Sequence, residues 1–162
     1  MTSSVIFDSP IGPLRIFADG ERLVALDFLK SSRASNLKSH SKSKENGAFF
    51  KRVEKALHDY FEKGKPLPSF PYASRSGTSF RQKVWRALEK IPFGQTRSYG
   101  EIAAMIGSPG AARAVGTACG ANSLPLFIPC HRVVAANGLG GFSSGMEIKK
   151  QLLRLEGVLP PR

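Results

Sequence analysis

At the start of the chain three short apolar runs, SVIF, PLRIFA and LVALDFL, are separated by Ser9-Pro10 and by Asp19-Gly20. Runs of this length broken by two-residue turn signals predict a small antiparallel meander. From Lys30 to Gly47 the pattern stops, because SSRASNLKSHSKSKENG is rich in Ser and Lys and has almost nothing to bury. That composition predicts a mobile surface loop over 30–47. Phe49, Phe50, Val53, Ala56, Leu57, Tyr60 and Phe61 then recur at helical spacing, and Gly64 with Pro66 ends the helix. The Pro-rich stretch KPLPSFPY connects to a second region, so two domains are expected, 1–76 and 77–162.

In the second region Thr78 or Ser79 caps a helix with Phe80, Val84, Trp85 and Leu88 on one face, and Pro92-Phe93-Gly94 ends it. Ser98-Tyr99-Gly100-Glu101 reads as a capping box, followed by Ile102, Ala103 and Ile106 and a stop at Gly107. After the turn Ser108-Pro109-Gly110 a further helix begins in AARAVGTACGAN. Helix, tight Gly-containing turn, helix is the helix-turn-helix pattern. The apolar segment LPLFI runs into Pro129-Cys130-His131-Arg132, and a second capping box, Ser144 to Glu147, opens the last helix. That helix is expected to turn Ile148, Leu152, Leu153 and Leu155 inward and to end at Gly157. The fold class predicted is α+β.

Charge changes the picture. There are 24 Lys and Arg against 12 Asp and Glu in 162 residues, a formal charge of +12, which favours a polyanionic partner, nucleic acid before an anionic membrane surface. No run approaches the roughly 18 apolar residues of a membrane span, and MTSSVIFDSP lacks the sections of a signal peptide, so an intracellular protein is expected. Two cysteines, Cys119 and Cys130, make neither a disulfide framework nor a four-thiolate zinc site, which fits a reducing compartment.

Cys130, between Pro129 and His131, is the most suggestive chemistry, because a cysteine attacks only as thiolate and an imidazole can take its proton. Sequence adjacency does not by itself bring the two side chains together, and a buried small hydrophobe is the plain alternative. Cys119, inside a helix of small residues, reads as packing. The helix holding Ala111, Ala112, Ala114, Gly116, Ala118 and Gly120 has Arg113 as its one long charged side chain. It lacks the donors and acceptors with which a helix reads the major groove, and suits close approach to a backbone or a narrow groove.

RAVGTACGANSLPLFIPCHRVVAANG, preceded by TRSYGEIA and followed by KKQLLRLEG, closely resembles the O6-alkylguanine-DNA alkyltransferases, the methylated-DNA–protein-cysteine methyltransferases. The match runs from about Thr78 to Gly157, and SPIGPL with the meander and helix fits the N-terminal half more loosely. The resemblance implies a ribonuclease H-like N-terminal domain and a mainly helical C-terminal domain. It also implies single-turnover transfer of an alkyl group from guanine O6, or from O4-alkylthymine, in double-stranded DNA to Cys130, without cofactor. His131 would act through a water as the base for Cys130, Glu156 would orient the imidazole, and Asn122 would brace the turn before the acceptor. The damaged base would be flipped out, with Arg113 filling its place in the stack and Tyr99 crowding the phosphate. Ser98, Ala112, Ala114 and Gly116 would meet DNA in the minor groove, while Tyr99, Val133, Phe142, Ser143 and Ser144 would line the base pocket. A monomer in solution is implied, in the cytoplasm or, in a eukaryote, the nucleus; cooperative binding on DNA stays open.

Two positions depart from the family pattern: Phe142 has no hydroxyl where many members carry Tyr, and Ser144 stands where Gly is common. No cysteine precedes Cys119, so no N-terminal metal is expected. Two other classes compete, a DNA-binding module that recognises lesions without chemistry and a Cys/His hydrolase.

Overall fold

The computed structural model describes residues 2–30, 44–73 and 76–161. The chain divides into two compact units, Met1–Ser74 and Arg75–Arg162.

In the first unit β1 (Thr2–Ser9), β2 (Gly12–Asp19) and β3 (Arg22–Phe28) form an antiparallel sheet with β2 in the centre. The predicted turns set the register: Ser9 pairs with Gly12 across Pro10-Ile11, and Asp19 pairs with Arg22 across Gly20-Glu21. Gly20 takes the left-handed φ of +59° that such a tight turn requires. Leu14, Ile16 and Ala18 alternate toward the core, the period of a half-buried strand.

Helix α1 (Lys44–Lys63) buries Phe49, Phe50, Val53, Leu57, Tyr60 and Phe61, and Gly64 ends it at a φ of +63°. The helix begins inside the segment read as loop: residues 44–47 are helical, while residues 31–43 lie outside those described. Amphipathic spacing from Phe49 onward gives no sign of this extra turn, whose polar residues are carried by helix propagation. The Pro-rich connector also does more than connect. The Leu23 amide donates to the Pro71 carbonyl (2.9 Å) and the Ala73 amide to the Leu23 carbonyl (2.8 Å), so the connector runs parallel to β3.

The second unit packs helices around the segment that holds Cys130. Thr78, of the two candidate caps, accepts from the Arg81 amide at the start of α2 (Ser79–Glu89), which buries Val84, Trp85, Ala87 and Leu88. Phe80 is only half-buried. The Trp85 indole N–H donates 2.9 Å to the Ala118 carbonyl, fastening α2 to a later helix. Strand β4 (Arg97–Ser98) leads into α3 (Tyr99–Met105) through the predicted capping box: the Glu101 amide donates to Ser98 Oγ (3.0 Å), and the Ser98 amide to the Glu101 carboxylate (3.1 Å). Gly107 and Gly110, both at positive φ, turn the chain into α4 (Ala112–Gly120), completing the helix-turn-helix.

β4 pairs in parallel with β5 (Val133–Val134), Arg97 against Val133 and Ser98 against Val134, so the start of α3 lies beside the residues after Cys130. This pairing is invisible in the sequence, since two-residue strands carry no periodicity. The final helix, α5 (Met146–Leu155), corrects two expectations. Gly145 is its N-cap, with no side-chain cap bond, so Ser144 and Glu147 form no capping box. Its buried face is Lys149, Leu152, Leu153 and then Glu156, while Ile148 and Leu155 are half-exposed.

Replacing Ser98 with Ala removes the cap acceptor and should cost the second unit about 1 kcal/mol. Urea denaturation followed through Trp85, the chain's one tryptophan, measures it; an unchanged midpoint would show that the box contributes nothing.

Candidate active site

Helix α4 stops at Gly120, and Asn122 then shapes the approach to the thiol. Its Nδ2 donates 2.8 Å to the Ile128 carbonyl, and its Oδ1 accepts from the Leu124 amide at 3.0 Å. One buried side chain thus closes residues 122–128 into a fixed loop, in which Leu126 adopts a φ of +75°. For a non-glycine residue that conformation is costly, and the surrounding bonds hold it. The loop delivers Pro129 and a single 3-10 turn, Cys130–Arg132.

All three residues of that turn are buried. Around them a carboxylate collects its donors: Glu156 accepts from His131 Nε2 at 2.7 Å and from Arg132 Nε at 2.7 Å and Nη2 at 3.2 Å. Arg132 Nη1 donates 2.7 Å to the Ile91 carbonyl, and the guanidinium lies 5.9 Å from the Phe93 ring centre. Burial holds the His131 imidazole below its ordinary pKa of 6.5, with Arg132 and Lys149 acting the same way and Glu156 opposing them. Because Arg132 already neutralises Glu156, the carboxylate has no need of an imidazolium. A neutral His131 then carries its proton on Nε2, toward Glu156, and leaves Nδ1 as a lone pair. Nδ1 is buried and has no hydrogen-bond partner among the described residues.

A cavity of about 640 Å³ opens beside Cys130, lined by Tyr99, Ala112, Arg113, Gly116, Cys119, Gly120, Cys130, Gly141, Phe142 and Ser143. Tyr99 packs against backbone on two sides. A Cβ on Gly116 would lie 3.7 Å from its ring, and one on Gly140 only 2.7 Å from its hydroxyl, so Gly140, at a φ of +72°, leaves the room the phenol needs. The phenol donates to the Gly141 carbonyl (3.5 Å) and accepts from the Gly141 amide (3.3 Å). Burial raises its pKa, opposed by the hydrogen bond to Gly141 and helped by the two nearby thiols, so the phenol keeps its proton.

Lys149 supports the same wall from behind. Its ammonium donates 2.6 Å to the Val133 carbonyl and 3.0 Å to the Gly141 carbonyl, joining the strand after the acceptor to the pocket loop. Burial lowers its pKa, while charge on Cys130 and Cys119 would raise it.

Comparison with known proteins identifies the family. The profile for the 6-O-methylguanine DNA methyltransferase DNA binding domain matches residues 79–158, and that for the ribonuclease-like domain of the same proteins matches residues 4–71. The chain belongs to the 6-O-methylguanine DNA methyltransferase family. A methylated-DNA–protein-cysteine methyltransferase of Methanosarcina acetivorans is 44% identical over 154 residues, covering 94% of this chain and 96% of the relative. One from Mycobacterium bovis is 45% identical over 155 residues, covering 95% and 92%. Among solved structures, Mycobacterium tuberculosis OGT in complex with DNA superposes with a TM-score of 0.80 at 42% identity, covering 94% of this chain and 91% of that one.

Within this methyltransferase fold the residues singled out in the sequence fall into three groups. Tyr99, Ala112, Arg113, Gly116, Cys130, Phe142 and Ser143 share the cavity. His131, Glu156 and Asn122 lie behind it as buried polar groups, so Glu156 is not the solvated helix-end carboxylate that its type alone suggests. Ser98, Ala114, Val133 and Ser144 are not among the lining residues: Ser98 Oγ is engaged as a helix cap, Ala114 is exposed, and the Val133 carbonyl accepts from Lys149.

Three residues were missed. Arg132, Lys149 and Cys119 all belong to the site, and Cys119, read as packing, lines the cavity. A signal existed for one of them: Lys149, Leu152, Leu153 and Glu156 are spaced i, i+3, i+4, i+7, so two charges occupy the inward face of an amphipathic helix.

The depressed imidazole pKa fixes a sign for stability. Above the unfolded value, near 6.5, His131 is neutral in both states; below it the unfolded chain binds the proton first, so stability falls with pH until the folded imidazole also titrates. Urea denaturation from neutrality down through that value should show the second unit weakening, and His131→Gln should weaken less over the same interval. An identical pH slope in the variant would remove His131 as the cause.

Proposed function

We propose that this methyltransferase repairs alkylated DNA by one irreversible transfer per molecule, taking the alkyl group from O6 of a guanine flipped out of the duplex onto Cys130 Sγ. The observation that carries this reading is that Cys130 lines the cavity and is followed in the chain by a buried histidine whose Nε2 is bonded to Glu156 and whose Nδ1 has no hydrogen-bond partner among the described residues. Nδ1 accepts the thiol proton through a water, and Glu156 stabilises the imidazolium that forms, the logic of a third group orienting a base. The S–C bond forms as the C–O6 bond breaks, the electron pair stays on guanine, and the Tyr99 phenol protonates the departing base. The product is a thioether, which water does not cleave, so each chain acts once.

DNA is held by the helix-turn-helix, with the small-residue face of α4, including Ala112, Ala114 and Gly116, set in the minor groove. Arg113, exposed beside the cavity, fills the gap left by the flipped base. The +12 charge and the Mycobacterium tuberculosis relative solved with DNA support this partner. No described helix is long and apolar enough to cross a membrane. The protein acts as a monomer, wherever the cell keeps its DNA.

Intact-protein mass after mixing with a duplex holding one O6-methylguanine tests the chemistry. The unaltered chain should gain one methyl group and Cys130→Ser none; lesion binding without mass gain would leave a recognition module instead. Arg113→Ala should slow transfer from the duplex by on the order of tenfold or more while sparing transfer from the free alkylated base, since only the duplex pays an unstacking cost of a few kcal/mol. Equal losses on both would refute the stack-filling role.

A further inference from the structure

Helix α4 presents Ala112, Gly116 and Cys119 to the cavity at helical spacing. Ala and Gly reach no further than a methyl group, so Cys119 is the longest side chain on this wall besides the exposed Arg113. Its thiol is half-buried and free of any disulfide. Burial, with the charge of Cys130 adding and Lys149 opposing, pushes its pKa up to about 12, so it stays protonated and does not compete as a nucleophile. Cys119 and Cys130 line the same cavity, so the wall formed by α4 faces the space in front of Cys130.

An alkyl group about to be transferred has to lie against Cys130 Sγ, hence beside this wall. We infer that Cys119 is a specificity-determining residue, its side-chain volume limiting which alkyl groups can reach Cys130. The inference rests on the alkyl-transfer reading above and adds to it a size limit set from α4. In chemical terms the thiol is a neutral, polarisable surface, suited to packing against a small alkyl group and without a strong hydrogen bond to direct a polar one.

Single-turnover transfer is measured by intact mass for the full chain and its Cys119→Met and Cys119→Ala variants, on duplexes holding either O6-methylguanine or O6-benzylguanine. The readout is the ratio of benzyl to methyl rates, which a change in overall folding or DNA affinity moves little. Cys119→Met should lower that ratio about tenfold or more and Cys119→Ala should raise it several-fold, the range expected when pocket volume changes by one or two carbon atoms. A ratio unmoved in the Ala variant overturns the inference even if the Met variant fails to fold, and so does an equal loss on both substrates in a folded Met variant. If the unaltered chain gains mass from neither duplex, the alkyl-transfer reading itself fails; transfer with an unmoved ratio removes only the role of Cys119.

Discussion

The site depends on one buried carboxylate. Glu156 lies with no exposed side-chain surface and is hydrogen-bonded by both His131 and Arg132. An isolated carboxylate there would cost several kcal/mol in lost hydration, and a guanidinium bonded through two nitrogens is the donor best shaped to offset that. Arg132 does so while also binding the Ile91 carbonyl, so the end of α2, the acceptor turn and the end of α5 meet at a single charge. The same pair releases His131 from having to be cationic, which is what a base requires.

Around that hub the pocket is made by fixing backbone. Asn122 closes the loop before Cys130, Lys149 joins the Val133 carbonyl to that of Gly141, and Tyr99 is seated against glycines from two segments. Asn122, Lys149 and Tyr99 each bond main-chain groups of these segments, and leaving a buried group of that kind unbonded costs about 1–3 kcal/mol. Rigidity in such a site serves positioning, because a displacement reaction needs sulfur, carbon and oxygen in line.

Local patterns reached most of the elements. The meander, α1, the Ser98 box and the helix-turn-helix follow from period, turn residues and caps, all decided within a few residues of chain. The failures were of a different kind. Residues 44–47 look like loop and are helix, Ser144 looks like a cap and is not one, and Lys149 looks like surface and is interior. In each case residue type was a fair guide to average behaviour, and for Lys149 a partner distant in sequence, the Val133 carbonyl, overruled it.

The sequence by itself determined most of the elements, the basic character and, through the setting of PCHRV, the family and the candidate thiol, since these are properties of short stretches or of totals. Only the tertiary structure decided that Glu156 serves His131 and Arg132 together, that β4 lies along β5, that Lys149 holds the pocket loop, and that Cys119 faces the cavity. Those are contacts between residues far apart in the chain. They are set by how whole helices pack, and helix packing leaves its mark on sequence only as an inward face, without naming what that face will meet.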